Sequence, residues 1–378
     1  MTKQRTARHG YRRIVAKFGT NLLTAGGDRL DPAVMAALAE QVVRLMDEGR
    51  EVLIVTSGAI AAGRERLAGA PHRRDTAYRQ VLAAVGQAHL MQAYDALFAK
   101  HGRVVGQTLL SKRDLSDRVG YLNARNTLLG LLEAGVVPIV NENDAVAIDE
   151  IAGARIGDND NLSALVANLI DADLLALLTD TGGLYTADPR AQKSATLIAR
   201  VDRITKEIEA IAGGSESGRG TGGMITKLQA AKLATGGGSD VFIAHGHERD
   251  VLVRLARGEH VGTMLPARGT RMESRKRWML SGLATRGAII VDAGAAKALL
   301  ERSKSLLPAG VSDVQGPFKR GDTVNICLPG GQPIACGITN YGDADVAAIR
   351  GVRSDRIAEV LGYQYGAEVV HRNNLVLL

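Results

Sequence analysis

Apolar residues in the first two-thirds of the chain form short, nearly continuous runs separated by longer stretches with helical spacing. Six runs predict strands, at 12–18, 51–57, 103–110, 136–141, 174–180 and 240–245. Most are apolar throughout, as expected for strands covered on both faces. Between the first two runs, Asp31 can cap a helix, Pro32 suits its first position, and Gly49 can end it. This alternation predicts an α/β fold, a three-layer αβα sandwich with a mostly parallel central sheet.

The pattern changes after about residue 283, where the predicted strands become short and turns become frequent. This pattern of short strands and frequent turns predicts a small, mainly β domain at the C-terminal end. The predicted organisation is a basic tail over 1–11, a main domain over 12–265, a charged linker over 266–283 and the small domain over 284–370.

Composition and charge exclude some classes of function. Hydrophobic residues make up 46% of the 378 residues, enough for a large core, whereas aromatic residues make up only 3%, few for stacking nucleic-acid bases. The net charge of +7 is concentrated at the two ends, with +5 over residues 1–13 and +4 over 271–378. The part between them carries −2, so it does not present a nucleic-acid surface on charge grounds.

Membrane and redox signals are weak. No run of about 18 apolar residues occurs, and the basic N-terminus has no apolar core of a secretory signal, so we expect no membrane association and a cytoplasmic location. Cys327 and Cys336 match no zinc-site spacing and are predicted to be buried thiols.

Glycine and acidic clusters directly follow four of the predicted strands. They are KFGTN (17–21), TSGAIAAG (56–63), the NEND loop from 141, and TDTGGLYTADP (179–189). Because ligands of open α/β sheets bind outside the carboxyl ends of the strands, these loops predict one site.

Two lysines give that site its chemistry. The glycine-rich stretch 217–234 matches neither a dinucleotide fingerprint, because no strand precedes it, nor a Walker A loop, because Lys227 comes too late. Its backbone N–H groups can still face an anion at the start of a helix, where Lys227 adds a charge. Lys17 ends an apolar strand, where an unpaired ammonium group is costly. Two such lysines at one edge indicate a polyphosphate ligand and phosphoryl transfer.

At this point the chain resembles a known family. The motifs are KFGTN, IVTSGAIAAGRE, VLAAVGQ, LNARNTL, VPIVNENDAV, GDNDNLSALVA, LLTDTGGLYTADPR and GTGGMITKLQAA. They resemble the successive signatures of the glutamate 5-kinases, which belong to the amino acid kinase family. The region from IIVDAGAAKALLERSKSLLPAGVSDVQGPFKRGD onward is similar to the PUA domain attached to many bacterial members. The resemblance covers nearly the whole chain apart from the basic tail.

The resemblance implies transfer of the ATP γ-phosphoryl group to the side-chain carboxylate of L-glutamate, the first step of proline biosynthesis. A carboxylate is already ionised at pH 7 and needs no general base, which fits a site of cations and amides. Mg²⁺ is expected to arrive on the ATP phosphates, so no metal ligand is assigned. The resemblance also implies a homo-oligomer, proline as a feedback inhibitor, and the next enzyme of the pathway as a partner for the labile acyl phosphate.

The matching motifs also imply roles for individual residues. Catalysis is assigned to Lys17, Lys227, Asp158 and Asp160, and one of the two aspartates is expected to hold the lysines in place. Glutamate binding is assigned to Ser57, Gly58, Asn141, Glu142, Asp144 and Asn159. Nucleotide binding is assigned to Lys17, Gly19, Thr179, Asp180, Thr221, Gly222, Gly223, Met224, Ile225, Thr226 and Lys227.

Two alternatives remain open on the sequence. A kinase of the same fold could act on a carbamate, acetylglutamate or a nucleotide instead. The PUA-like end and its positive charge could also indicate an RNA-binding or RNA-modifying protein. In addition, the run between Glu150 and Gly157 is longer than is usual for the family, which leaves feedback by proline open.

Overall fold

The structure is a computed structural model and describes residues 10–67, 75–147, 159–213, 223–268, 285–302 and 304–378. The chain divides into two compact units. One comprises Met1–Leu115 with Ala124–Thr270, and the other comprises Ser116–Asn123 with Arg271–Leu378. The predicted linker over 266–283 falls mostly outside the described residues.

The first unit contains a seven-stranded sheet in the order β3-β4-β2-β1-β5-β6-β7. Its strands are β1 (Arg13–Phe18), β2 (Glu51–Val55), β3 (Val105–Leu110), β4 (Val137–Glu142), β5 (Leu174–Thr179), β6 (Asp240–His245) and β7 (Thr263–Leu265). Neighbouring strands are parallel except β6 and β7. The six predicted strands are therefore confirmed, whereas the short antiparallel strand β7 was not predicted.

Ten α-helices lie along residues 10–268 of the described chain. They are α1 (Thr20–Leu23), α2 (Pro32–Asp47), α3 (Ala59–Arg66), α4 (Thr76–Ala99), α5 (Lys112–Ser116), α6 (Arg118–Glu133), α7 (Asn159–Leu169), α8 (Lys206–Gly213), α9 (Met224–Gly236) and α10 (Val251–Ala256). The start of α2 follows the prediction, because Oδ1 of Asp31 accepts from the backbone N–H groups of Ala33 at 2.9 Å and Val34 at 3.0 Å.

Helices cover both faces of the sheet. On β1, Ile14, Ala16 and Phe18 join a buried core with apolar side chains of α2, α4 and α10. Side chains of a strand alternate between faces, so Val15 and Lys17 point the other way, where α7 contacts β1 and packs on α9. The predicted three-layer sandwich is confirmed. Lys17 lies on the side covered by α7 and α9.

Helices α3 and α4 approach each other closely at two glycines. A Cβ added at Gly86 would lie 1.8 Å from the carbonyl oxygen of Ala59, and one at Gly63 would lie 2.0 Å from that of Leu82. Only glycine fits at such distances. The close approach fixes α4 against the start of α3, immediately beside Gln87.

The second unit contains a five-stranded sheet in the order β12-β11-β10-β8-β9. Its strands are β8 (Ala288–Val291), β9 (Val311–Gln315), β10 (Thr323–Cys327), β11 (Pro333–Ile338) and β12 (Leu375–Leu377). Its helices are α11 (Ala293–Arg302), α12 (Asp343–Ile349) and α13 (Ile357–Leu361), with 3-10 turns at Pro308–Gly310, Ser354–Arg356 and Arg372–Asn374. The predicted mainly β domain is confirmed, and its sheet runs on past residue 370 to β12. Both cysteines are buried free thiols, as predicted.

Candidate active site

Lys17 is the last residue but one of β1, the central strand of the large sheet. It pairs with Val55 of β2 on one side and Leu177 of β5 on the other, and only 5% of it is exposed. Gly19 follows the strand, and a Cβ there would lie 3.5 Å from Nζ of Lys17. Residue 19 therefore borders the position of the ammonium group.

Asp160 joins the two lysines. Its Oδ1 lies 2.5 Å from Nζ of Lys17, and its Oδ2 lies 3.3 Å from Nζ of Lys227. The hydroxyl of Thr226 also donates to Oδ2, at 2.7 Å. Asp160 is fully buried, and Lys17, Lys227 and Thr226 are each no more than 7% exposed. The structure thus brings Lys17, Lys227 and Asp160 together although they are far apart along the chain.

The charge state of Asp160 follows from these contacts. Burial acts to raise the pKa of Asp160, but the charges of Lys17 and Lys227 and the hydrogen bonds from Lys17 and Thr226 lower it below its ordinary value. The carboxyl group is therefore ionised at neutral pH. Both of its oxygens face cations, so it serves to position the two ammonium groups.

The lysine cluster lies at the starts of two helices. Asp160 is in the first turn of α7, and Lys227 is in the first turn of α9, which Gly223 precedes in an extended conformation. A helix start presents free backbone N–H groups and a partial positive charge. The place where Lys17 and Lys227 meet is therefore suited to an anion.

A second polar group surrounds Asn159. Nδ2 of Asn159 donates to Oγ of Ser57 at 2.9 Å and to Oδ1 of Asn141 at 3.2 Å. Gly58, which follows Ser57, has a φ of +98° and begins α3. That left-handed conformation turns the chain sharply after β2.

The remaining residues predicted to bind glutamate lie at the end of β4. Glu142 is its last residue and is buried, and Asp144 lies half-buried in the turn that follows. Ser57, Gly58, Asn141, Glu142 and Asn159 thus meet at the carboxyl ends of β2 and β4 and at the start of α7.

Two contacts in this region were not predicted. Oε1 of Gln87, on α4, accepts from Nδ2 of Asn141 at 2.8 Å. The hydroxyls of Thr56 and Tyr94 are 2.8 Å apart, and burial raises the pKa of Tyr94 well above its ordinary value. The second contact fixes the residue before Ser57 to α4. Neither α4 side chain follows a strand, so neither belongs to the polar clusters that the sequence places after strands.

A pocket opens beside the lysine cluster, after β5. It is lined by Asn21, Thr179, Asp180, Thr181, Gly183, Leu184, Tyr185, Ala187, Asp188, Pro189, Arg190, Ile211, Ala212, Gly223, Met224 and Lys227. Asp180 accepts from Nδ2 of Asn21 at 3.1 Å and from the hydroxyl of Thr179 at 3.0 Å. Burial acts to raise the pKa of Asp180, but these hydrogen bonds and the charge of Lys227 bring it below its ordinary value.

The pocket contains part of the predicted nucleotide site and adds to it. Of the residues predicted to bind the nucleotide, five line the pocket: Thr179, Asp180, Gly223, Met224 and Lys227. Four other described residues of that prediction do not line it: Lys17, Gly19, Ile225 and Thr226. The pocket also contains residues with no predicted role: Asn21, Tyr185, Arg190 and Ile211. Only the fold brings the loop after β5 against α8. Asp158, Thr221 and Gly222 lie outside the described residues. Around the lysine cluster, no group of three or more His, Cys, Asp or Glu suited to a metal ion occurs among the described residues.

Comparison with known proteins gives consistent matches. Residues 12–245 match the amino acid kinase family, and residues 287–361 match the PUA domain. The chain is 54% identical over 368 residues to the glutamate 5-kinase of Dehalococcoides mccartyi strain CBDB1, covering 97% of this chain and 99% of that protein. It is 50% identical to the glutamate 5-kinase of Deinococcus radiodurans over 366 residues, covering 97% and 100% of the two chains.

Among solved structures, a UMP kinase from Bacillus anthracis aligns with a TM-score of 0.45 and 16% identity, covering 69% of this chain and 98% of that one. In the described part of the chain, no helix has the length and apolar character needed to cross a membrane.

Proposed function

This chain belongs to the amino acid kinase family and, within it, to the glutamate 5-kinases, and we propose that it phosphorylates the side-chain carboxylate of L-glutamate with ATP. The product is L-glutamyl 5-phosphate, and the reaction is the first step of proline biosynthesis. The observation that carries the proposal is the buried cluster in which Asp160 holds Lys17 and Lys227 together.

The cluster suits in-line transfer of a phosphoryl group. A carboxylate oxygen of glutamate forms a bond to the γ-phosphorus while the bond to the β,γ-bridging oxygen breaks, and ADP leaves. No proton has to move, because the attacking carboxylate is already ionised. The protein must align the reactants and neutralise the charge that spreads over the phosphoryl oxygens. Lys17 and Lys227 would supply this positive charge, since Asp160 holds both ammonium groups in one place.

The two substrates would bind on either side of this cluster. The pocket after β5 would hold ATP, with Thr179, Asp180 and the start of α9 near the phosphates. The group formed by Ser57, Asn141, Asn159, Glu142 and Asp144 would hold glutamate, whose ammonium needs acceptors and whose carboxylates need donors.

Mg²⁺ would enter with the phosphates of ATP. Such an ion keeps most of its waters and phosphate ligands and needs only one or two protein carboxylates. Asp160 is a poor candidate, because both its oxygens already contact cationic or hydroxyl groups. Asp180 lies in the nucleotide pocket and is held ionised, so it is the described carboxylate best suited to this role.

We also propose a cytoplasmic homo-oligomer, with the next enzyme of the pathway as a partner because the acyl phosphate is labile. Feedback inhibition by proline remains a proposal. The longer run between Glu150 and Gly157, on which it depends, lies outside the described residues.

A trapping assay tests the proposed reaction. The purified chain, incubated with ATP, Mg²⁺, glutamate and hydroxylamine, should form γ-glutamyl hydroxamate and release ADP in equal amounts. Replacing glutamate by carbamate, acetylglutamate or UMP separates other kinases of this fold. A folded protein that forms no hydroxamate with glutamate, or prefers another acceptor, would contradict the proposal. Running the assay with and without proline tests the feedback at the same time.

A further inference from the structure

Four buried polar side chains form a continuous chain of hydrogen bonds, which we call the amide relay: Ser57, Asn159, Asn141 and Gln87. Asn159 donates to Ser57 and to Asn141, and Asn141 donates to Gln87. The relay connects the end of β2, the start of α7, the end of β4 and the middle of α4. Gln87 is the member that no motif-based assignment included.

The direction of the relay is fixed by one backbone group. The N–H of Glu142 donates to Oδ1 of Asn141 at 2.9 Å, and a backbone N–H can only donate. The side-chain amide of Asn141 is therefore oriented with its oxygen towards the N–H of Glu142 and its nitrogen, Nδ2, towards Gln87. It follows that Gln87 presents its oxygen to Asn141 and holds Nε2 away from it. An amide nitrogen and oxygen are otherwise hard to tell apart, but this network leaves one arrangement.

Two polar atoms of the relay are left over: Nε2 of Gln87, which is a donor, and Oδ1 of Asn159, which is an acceptor. Among the described residues, Nε2 of Gln87 has no hydrogen-bond acceptor and Oδ1 of Asn159 has no donor, although both atoms are shielded from solvent. Only 9% of Gln87 is exposed. Buried polar groups without partners are costly, and they are rare unless a ligand completes them.

We propose that Gln87 is a substrate-binding residue, whose Nε2 donates a hydrogen bond to a carboxylate oxygen of the bound amino acid. A carboxylate only accepts hydrogen bonds, so it matches a pair of amide N–H donors whose orientation is fixed in advance. Oδ1 of Asn159 provides the complementary acceptor for the α-ammonium group. This inference rests on the proposed function, since it names how that site recognises glutamate.

The fold explains how a helix residue reaches the site. Gly86 lets α4 approach α3 so closely that a Cβ there would lie 1.8 Å from the carbonyl oxygen of Ala59. The next residue, Gln87, is thereby brought to the end of β4. A glycine followed by a glutamine on α4 thus extends the pocket wall built by the strand ends.

Three variants test this role. Gln87→Glu keeps the oxygen that accepts from Asn141 but replaces the donor by a charged acceptor, at almost the same size. Gln87→Met removes both polar atoms. The matched control is Gln92→Met, on an exposed part of the same helix. Steady-state constants for glutamate and for ATP are measured for each variant, together with thermal unfolding.

We expect Gln87→Met to raise the glutamate KM about 10- to 100-fold, the usual effect of losing a hydrogen bond to a charged group. Gln87→Glu should raise it further, because a carboxylate then faces a carboxylate. The ATP KM and kcat should stay within about threefold, and Gln92→Met should match the wild type.

A glutamate KM within twofold of the wild type in the folded Gln87→Glu protein would overturn the inference, as would an equal rise of both KM values. If Gln87→Met does not fold, Gln87→Glu alone decides, because it preserves the bond to Asn141. Wild-type protein without glutamate kinase activity would instead overturn the proposed function, so the two failures can be distinguished.

Discussion

At the residue scale, one carboxylate organises two cations that are distant in sequence. Asp160 holds the ammonium groups of Lys17 and Lys227 together in a place where water is largely excluded. The proposed phosphoryl transfer needs positive charge at fixed positions around the phosphoryl oxygens, and electrostatic stabilisation by groups positioned in advance is usually the largest single contribution to catalysis.

The roles of Lys227 and Asp144 should separate kinetically. Lys227→Met should lower kcat by about 100- to 1,000-fold with a small effect on the glutamate KM, because the lysine charge is used mainly in the transition state. Asp144→Ala should mainly raise the glutamate KM. The hydroxamate assay at varied glutamate measures both constants.

Lys232→Met is the control for Lys227→Met, since Lys232 is an exposed residue of the same helix that pairs with Glu209. It should keep wild-type kcat. Similar changes in the same constant for Lys227→Met and Asp144→Ala would contradict these role assignments.

The contacts of Asp160 predict a pH-dependent contribution to stability. Its pKa in the folded chain lies below the ordinary 3.8, so the unfolded chain binds the proton more readily. The contribution is therefore complete above about pH 4 and is lost as the pH falls towards the folded-state pKa. Asp160→Asn should lower the free energy of unfolding at pH 7 by about 3–5 kcal/mol, because two buried ammonium groups each lose an ion pair with its carboxylate.

Urea denaturation of both proteins between pH 7 and pH 3 checks this prediction. The gap between wild type and Asp160→Asn should narrow by about 1.4 kcal/mol per pH unit below the ordinary carboxyl pKa. A gap that is the same at both ends of the range would mean that Asp160 is not held ionised by the lysines.

At this scale the sequence predicted residues of the glycine-rich and acidic clusters and missed residues within α4 and α8. Lys17 was identifiable because an ammonium group ended an apolar strand, and Asn141 because an amide followed one. Gln87 and Tyr94 lie within α4, where nothing in the helical pattern distinguishes a residue facing a site from one facing the core. Tyr185 and Ile211 line the same pocket only because the loop after β5 folds against α8, and no local sequence pattern records that.

At the scale of elements, the close contact of α3 and α4 positions both sides of the proposed glutamate site. Ser57 precedes α3, and Gln87 follows Gly86 on α4. A change in the spacing of these helices would therefore displace two members of the amide relay together.

Gly86→Ala tests this dependence. The new methyl group would overlap the carbonyl oxygen of Ala59, so the helices must separate, at a cost of about 1–3 kcal/mol in the free energy of unfolding. The glutamate KM should rise while the ATP KM changes little. Denaturation and steady-state kinetics measure the two effects.

Gly130→Ala is the matched control, because a Cβ at that position of α6 has no atom within 4 Å. It should stabilise the protein by about 0.5–1 kcal/mol, since alanine loses less chain entropy in a helix than glycine. Wild-type stability and kinetics in Gly86→Ala would show that the helix spacing is adaptable.

The elements themselves were largely predictable. Continuous apolar runs located β1 to β6, because strands buried on both faces have no alternation to obscure them. The cap at Asp31 located the start of α2. Strand β7 was not predicted, because its three residues, Thr263 to Leu265, are too few to give a periodic pattern. Its antiparallel direction depends on its pairing with β6. The glycine contact of α3 with α4 is tertiary and has no signature within either helix.

At the scale of the whole molecule, each unit has its own hydrophobic core. The core of the first contains side chains of β1, α2 and α4, and that of the second contains side chains of β8, β10 and α12. The change in hydrophobic pattern after residue 283 predicted a second, mainly β domain, and the boundary between the two units falls between Thr270 and Arg271. The grouping of Ser116–Asn123 with the second unit was not predictable, because it depends on contacts far from those residues in sequence.

Hydrogen exchange tests whether nucleotide binding is confined to one unit. With Mg²⁺ and a non-hydrolysable ATP analogue at about 100 times its Kd, the first unit gains about 2.7 kcal/mol of stability. Exchange should slow at the end of β5 and the start of α9. Exchange in β8, β10 and β11 should not change. Equal protection in both units would show that the second unit responds to the nucleotide.

The place of Lys17 in the middle of the large sheet has a mechanical consequence. Its backbone is held between two parallel neighbours, so the Cα of Lys17 cannot move towards an incoming nucleotide without breaking hydrogen bonds of the sheet. Lys227 is carried by a helix, and helices can slide over a sheet at modest expense. A motion that closes the protein around its substrates would therefore move α9 towards β1, while β1 stays in place. The sheet would then determine the position at which the phosphoryl group is transferred.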